Sequence, residues 1–176
     1  MKRLSGRRLT LLLAVPAALV LLGFAMAGGV EFGIWHRIGL ATGVRDDARP
    51  VDFPTLERRS TPNDALICPA EFCPRARADA EPAVFTTPAA GLREKLRRAA
   101  LAEPRTVELD TGDEANRLRF VQRSLLLRYP DVVDVLIVPR SSGAATLAIY
   151  SRSLVGRSDF GVNRARVERW LEALSR

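Results

Sequence analysis

Histidine is nearly missing from this sequence: His36 is the only one. Ser-His-Asp and Cys-His catalysis both need an imidazole held against the nucleophile. His36 follows a long apolar run and lies far from any segment that reads as a packed layer, which argues against both mechanisms. Lysine is almost as scarce, with only Lys2 and Lys95 among 27 basic residues. A Ser-Lys pair would have to use Lys95, on a stretch already lined with arginine. Cysteine is limited to Cys68 and Cys73, too few for a zinc site and without C-x-x-C redox spacing. No glycine-rich phosphate loop stands between a strand and a helix. Asp110, Asp113 and Glu114 do not fit an EF-hand loop and read as an acidic turn. Neither a metal nor a cofactor is expected.

Charge is also unevenly supplied. Of the net +7, Lys2, Arg3, Arg7 and Arg8 account for four, ahead of a run without any charge. The three that remain are ordinary for a globular domain, so a nucleic-acid partner is not expected. Leu9 to Val30 is 22 residues long and uncharged, enough to cross a bilayer core of about 20 residues. The positive-inside rule puts residues 1–8 in the cytoplasm and everything after residue 30 outside. The expectation is a single-pass protein of a bacterial inner membrane, with transmembrane segment 9–30 and a periplasmic C-terminal domain. Ala25-Met26-Ala27 leaves a cleaved signal peptide as the rival, against which the length of the apolar run argues. In an oxidising compartment Cys68 and Cys73 are disulfide candidates, with two unpaired thiols as the alternative.

Seven of the eleven prolines fall between Pro50 and Pro88, so residues 31–85 read as an extended arm. Val51, Phe53, Leu56, Leu66, Ile67 and Phe72 are apolar points that could pin it to a surface. Residues 86–176 read as an α+β domain. Thr87-Pro88 opens a helix with Leu92 and Leu96 on one face, ended by Pro104. Strands are predicted at Arg105–Asp110, Asn116–Ser124, Val132–Val138 and Ala144–Tyr150. A last helix, Val162–Leu174, carries Val167, Trp170, Leu171 and Leu174 as a stripe. The expected fold is a four-stranded antiparallel meander with a helix before and a helix after it on one face.

One dense polar constellation stands where the last strand gives way to the last helix. Arg152, Arg157, Ser158, Asp159, Asn163 and Arg164 are interrupted by Gly156 and Gly161. Ser158 or Asp159 can cap the helix, and Asp159 can pair with Arg152 or Arg164 to clamp helix to sheet. The same atoms could instead bind an anion, since two or three arginines flank a helix start. The clamp is the slightly favoured reading.

The segment SRSLVGRSDFGVNRARVERW resembles the bacterial and plastid domain-of-unknown-function family fourteen-ninety-nine, whose pattern is roughly S-x-S-x-x-G-x-S-D-x-G-x-N-x-x-R-x-E. Ser151, Ser153, Gly156, Ser158, Asp159, Gly161, Asn163, Arg166 and Glu168 occupy the matching places. RYPDVVDV, from Arg128, resembles a strand entry of the same family, and the likeness extends over Thr61 to Leu174. A Pro-Asn-Cys cluster is expected near the domain start; here Asp64 follows Pro62-Asn63 and Cys68 comes later. The resemblance implies a small α+β domain, often exported or membrane-tethered, with no reaction to carry over. Two functional expectations result. One is a non-enzymatic envelope module that binds an anionic ligand or a protein partner. The alternative is an envelope enzyme using Asp159 or Glu168 as general base, with Arg152 and Arg164 orienting an anionic substrate.

Overall fold

Alternating side chains along four consecutive strands build a sheet with two distinct faces, and both are covered. The computed structural model describes residues 50–175 except 113, 126 and 127. The apolar run at 9–30 lies outside the described residues. Among those described, no helix is long and apolar enough to cross a membrane. Strands are β1 (Asp64–Ile67), β2 (Thr106–Glu108), β3 (Arg117–Arg123), β4 (Pro130–Pro139) and β5 (Ala145–Ser153). Helix α1 (Ala89–Ala102) stands between β1 and β2, and α2 (Val162–Leu174) follows β5.

The class is α+β, as expected, with β2 to β5 running as an antiparallel meander. The strand count is not four but five. The sheet order is β1-β5-β4-β3-β2, because β1 adds antiparallel to the outer edge of β5. Its sequence, DALI, is only four residues long and lies between Pro62 and Pro69, so no periodicity announced it. Pairing Leu66 with Tyr150 and Ala65 with Ser151 draws the proline-rich stretch onto the sheet.

One face carries Leu118, Phe120, Val133, Val135, Leu147 and Ile149 against both helices. Leu92, Leu96 and Ala100 come from α1, and Val167, Trp170 and Leu174 from α2. Trp170 meets Phe120 edge-on, with centroids 5.4 Å apart and planes at 81°. Fully burying such a side chain contributes about 1.5–3 kcal/mol, so this cluster dominates the fold's stability. Pro88 precedes α1 and Glu103, extended, ends it one residue before Pro104.

The opposite face is covered by residues 50–80 rather than by solvent. Phe53, Leu56, Cys68, Cys73 and Ala76 pack over Leu66, Ala148 and Tyr150. A disulfide joins Cys68 to Cys73, with Cα atoms 6.3 Å apart. Arg119, which alternates with Phe120, is therefore buried, and Asp134 of the neighbouring strand faces it at 3.2 Å.

Candidate functional site

At the end of the sheet nearest the start of α2, the stripe that faces the helices changes from apolar to polar. Gln122 continues Leu118 and Phe120, Asp131 continues Val135 and Val133, and Ser151 continues Leu147 and Ile149. Arg166 of α2, only 1% exposed, meets all three. Its Nη2 donates to Asp131 Oδ2 (2.7 Å), its Nε to Gln122 Oε1 (2.6 Å) and its Nη1 to Ser151 Oγ (2.8 Å) and Asn163 Oδ1 (2.6 Å). Every arm of the guanidinium has an acceptor, as a buried charge requires.

Asn163 is the second centre of the network. Its Oδ1 accepts from Ser151 Oγ (2.6 Å). Its Nδ2 faces the Asn63 carbonyl (3.1 Å), Ser153 Oγ (3.0 Å) and Asp159 Oδ2 (2.8 Å). Asn63 in turn donates from Nδ2 to the Gly156 carbonyl at 2.8 Å. The residue before β1, the turn after β5 and the first turn of α2 are thus held by one amide pair. Gly156, at φ 89°, supplies the left-handed backbone that this turn needs.

Asp159 caps α2 from two residues before Gly161. Its Oδ1 accepts the Gly161 N–H (3.0 Å) and its Oδ2 the Asn163 N–H (2.8 Å). It does not make the expected clamp to arginine. Arg152 projects from the other face of the sheet, where Nη1 donates to Asp134 Oδ2 at 2.6 Å and the guanidinium lies over the Tyr150 ring. Strand alternation separates it from Asp159: Ser151 and Ser153 face α2, and Arg152 between them cannot. Arg164 is exposed and stands 4.0 Å from Glu168, one turn on. Arg157 and Ser158 are exposed as well, and Ser158 Oγ accepts the Phe160 N–H at 3.3 Å.

The six sequence-predicted residues therefore separate into three environments. Asp159 and Asn163 belong to the lock between strand and helix. Arg152 belongs to a charge chain on the opposite face. Arg157, Ser158 and Arg164 remain at the surface, with Phe160 and Val162 exposed beside them. Sequence reasoning passed over Asn63, Gln122 and Asp131. A polar residue falling on an otherwise apolar strand stripe was the signal for the last two.

The opposite-face chain runs from Asp134 through Arg152 and Tyr150 to Asp64, Arg58 and Asp79. Tyr150 donates its hydroxyl to Asp64 Oδ2 (2.7 Å), and burial with that bond pushes its pKa above the ordinary tyrosine value. Arg58 binds Asp64 (2.6 Å) and Asp79 (2.9 Å), and the Asp64 bond outweighs burial to hold its charge more firmly. Burial raises the pKa of Asp79, but the Arg58 guanidinium and the Leu66 N–H outweigh it, leaving that carboxyl below its usual range. Glu103 behaves alike: burial is overcome by hydrogen bonds from Arg169 and Gln122.

Beside α2, a groove of about 330 Å³ is lined by Ile67, Phe85, Val167 and Leu171, with Arg164 and Asp79 at its rim. Among the described residues no cluster of three or more His, Cys, Asp or Glu could hold a metal ion.

A family model described as protein of unknown function, DUF1499, matches residues 47–174. The chain belongs to the DUF1499 family. The match begins well before α1, so in this DUF1499 protein it takes in the stretch that supplies β1 and the disulfide along with the meander. No curated protein matches the chain.

Proposed function

We propose that this DUF1499 protein is a single-pass inner-membrane protein whose C-terminal domain stands in the periplasm as a non-enzymatic module. Its ligand is an anionic envelope component or a protein partner, met at the surface where α2 begins. The observation that carries this reading is the division of labour in residues 151–168. The carboxylate best placed to act as a base, Asp159, already accepts three N–H groups from Gly161 and Asn163. Those bonds commit its oxygens to the start of α2. Asn163 and Arg166 are likewise consumed by the fold. What the segment presents outward includes two cations, Arg157 and Arg164, with a hydroxyl between them in sequence at Ser158 and with Glu168 4.0 Å from Arg164. That combination suits recognition of an anion. The disulfide and the charge pattern around residues 9–30 support an oxidising compartment outside the cytoplasm.

Two measurements on the full-length protein test this. Protease added outside intact spheroplasts should cleave the domain, whereas protection from it would contradict the topology. Titration of the detergent-solubilised chain with glycerol phosphate and with acidic oligosaccharide should show binding that weakens with salt. Failure to bind any anion or envelope protein, together with turnover of a substrate, would overturn the module reading.

A further inference from the structure

Phe160 is the largest apolar side chain at the domain surface near α2, and it is 95% exposed. Val162, two residues on, is 48% exposed. Isolated surface leucines or valines need no explanation, but a phenylalanine standing almost wholly in water is a different matter. Its position is also imposed. Phe160 has φ 54°, in the left-handed region that a bulky residue enters only under constraint. The constraint is supplied by the neighbours already described: Ser158 Oγ accepts the Phe160 N–H, and Asp159 ties down Gly161 and Asn163. Asn163 is fastened to Ser153 and to the Asn63 carbonyl, so the tip is rigidly attached to the sheet.

Two exposed cations flank this tip. Arg157 precedes it and Arg164 follows it, both exposed. Among the described residues Arg157 has no ion pair, while Arg164 stands 4.0 Å from the exposed Glu168 and helps to hold the Asp79 carboxyl below its usual range. The nearest carboxylate in sequence, Asp159, is turned back into the helix cap. An aromatic tip flanked by exposed arginines is a composition that seats at a bilayer interface, with the ring among headgroups and the guanidiniums on phosphates.

We infer that the 157–164 turn docks the domain onto an anionic phospholipid surface, Phe160 and Val162 entering the headgroup layer and Arg157 and Arg164 binding lipid phosphate. The inference rests on the module reading and names its ligand. A contact this small would be weak for a free domain. On a chain anchored in the same bilayer it is intramolecular in effect, and a weak contact then suffices to hold the domain down.

The test uses the full-length chain reconstituted into vesicles of phosphatidylcholine alone or of phosphatidylcholine with phosphatidylglycerol. Phe160→Trp is compared with the parent, which shares Trp35 and Trp170, for quenching by lipids brominated near the headgroup. The expected result is extra quenching in Phe160→Trp, confined to the anionic vesicles and reduced by salt. Adding Arg157→Gln and Arg164→Gln should weaken docking by about fivefold for each arginine. Equal quenching of Phe160→Trp and parent in both vesicle types overturns the inference, as does quenching that ignores lipid charge. Titration of the parent with soluble glycerol phosphate separates the two claims. Binding of that headgroup without quenching leaves the anion-binding module standing and removes the bilayer as its ligand. Absence of both removes the anionic reading itself. Quenching abolished by a co-reconstituted envelope protein that covers Phe160 would assign the tip to that partner and overturn the lipid proposal.

Discussion

Asp131→Asn isolates the pairing that fastens α2 to the sheet. The substitution keeps the side chain's shape and removes its charge. Arg166 would then sit with only neutral acceptors, from Gln122, Ser151 and Asn163, at 1% exposure. Leaving a buried charge without its counter-ion costs about 3–5 kcal/mol. Because three neutral acceptors stay in place, the lower end, about 3 kcal/mol, is expected for Asp131→Asn. Arg166→Met removes the cation instead and takes the donors away from Asp131 Oδ2 and Gln122 Oε1, at a cost of about 4 kcal/mol. With both changes the site holds no charge, so the double variant should lose about 2–3 kcal/mol less than the two single losses added together. Urea unfolding followed by Trp170 fluorescence reads all of these, since the indole packs on Phe120 inside the core that α2 completes. The denaturant slope should not change, because no variant alters how much surface unfolding exposes. A loss below about 1 kcal/mol for Asp131→Asn, or strictly additive losses, would refute the view that this ion pair pins the helix.

Other consequences follow from the same geometry. Asp159→Ala removes the acceptor for the Gly161 and Asn163 N–H groups and should cost about 1–2 kcal/mol by the same unfolding measurement. Reducing the Cys68–Cys73 disulfide releases a loop of sequence separation 5 and should lower stability by about 2 kcal/mol, read as a fall in the unfolding midpoint with reductant. Asp79 and Glu103 have pKa values below their ordinary range, so their contribution is present above about pH 4 and lost as pH falls through the depressed folded values. Asp79→Asn and Glu103→Gln should each flatten the acid limb of the stability profile while lowering stability at neutral pH.

The sequence made the meander and its two helices legible because each element carries its own period. Phe120 and Leu118 alternate with arginines, and Val167, Trp170 and Leu174 recur at helical spacing. It hid β1 because four residues between prolines have no period to read, and only the register with β5 gives them a partner. The same gap concealed the surroundings of Arg119. Its burial depends on the covering segment and on Asp134, both remote in the chain. Within the polar segment, the cap by Asp159 was visible in the order Ser-Asp-x-Gly before a helix. The role of Arg152 was not, since it turns on strand β5 continuing through Ser153 rather than ending at Tyr150. Three more residues of strand send Arg152 to the far face and Ser151 to the near one.

The segment 151–168 thus divides into residues that hold the fold and residues that face outward. Measuring the unfolding midpoint and the docking to phosphatidylglycerol-containing vesicles side by side, for the parent and for Arg157→Gln with Arg164→Gln, tests that division most directly. Exposed side chains with no buried partner should change stability by less than about 0.5 kcal/mol, so the predicted result is an unchanged midpoint with docking weakened by about fivefold for each arginine. A lowered midpoint, or docking unchanged by the loss of both arginines, would contradict it.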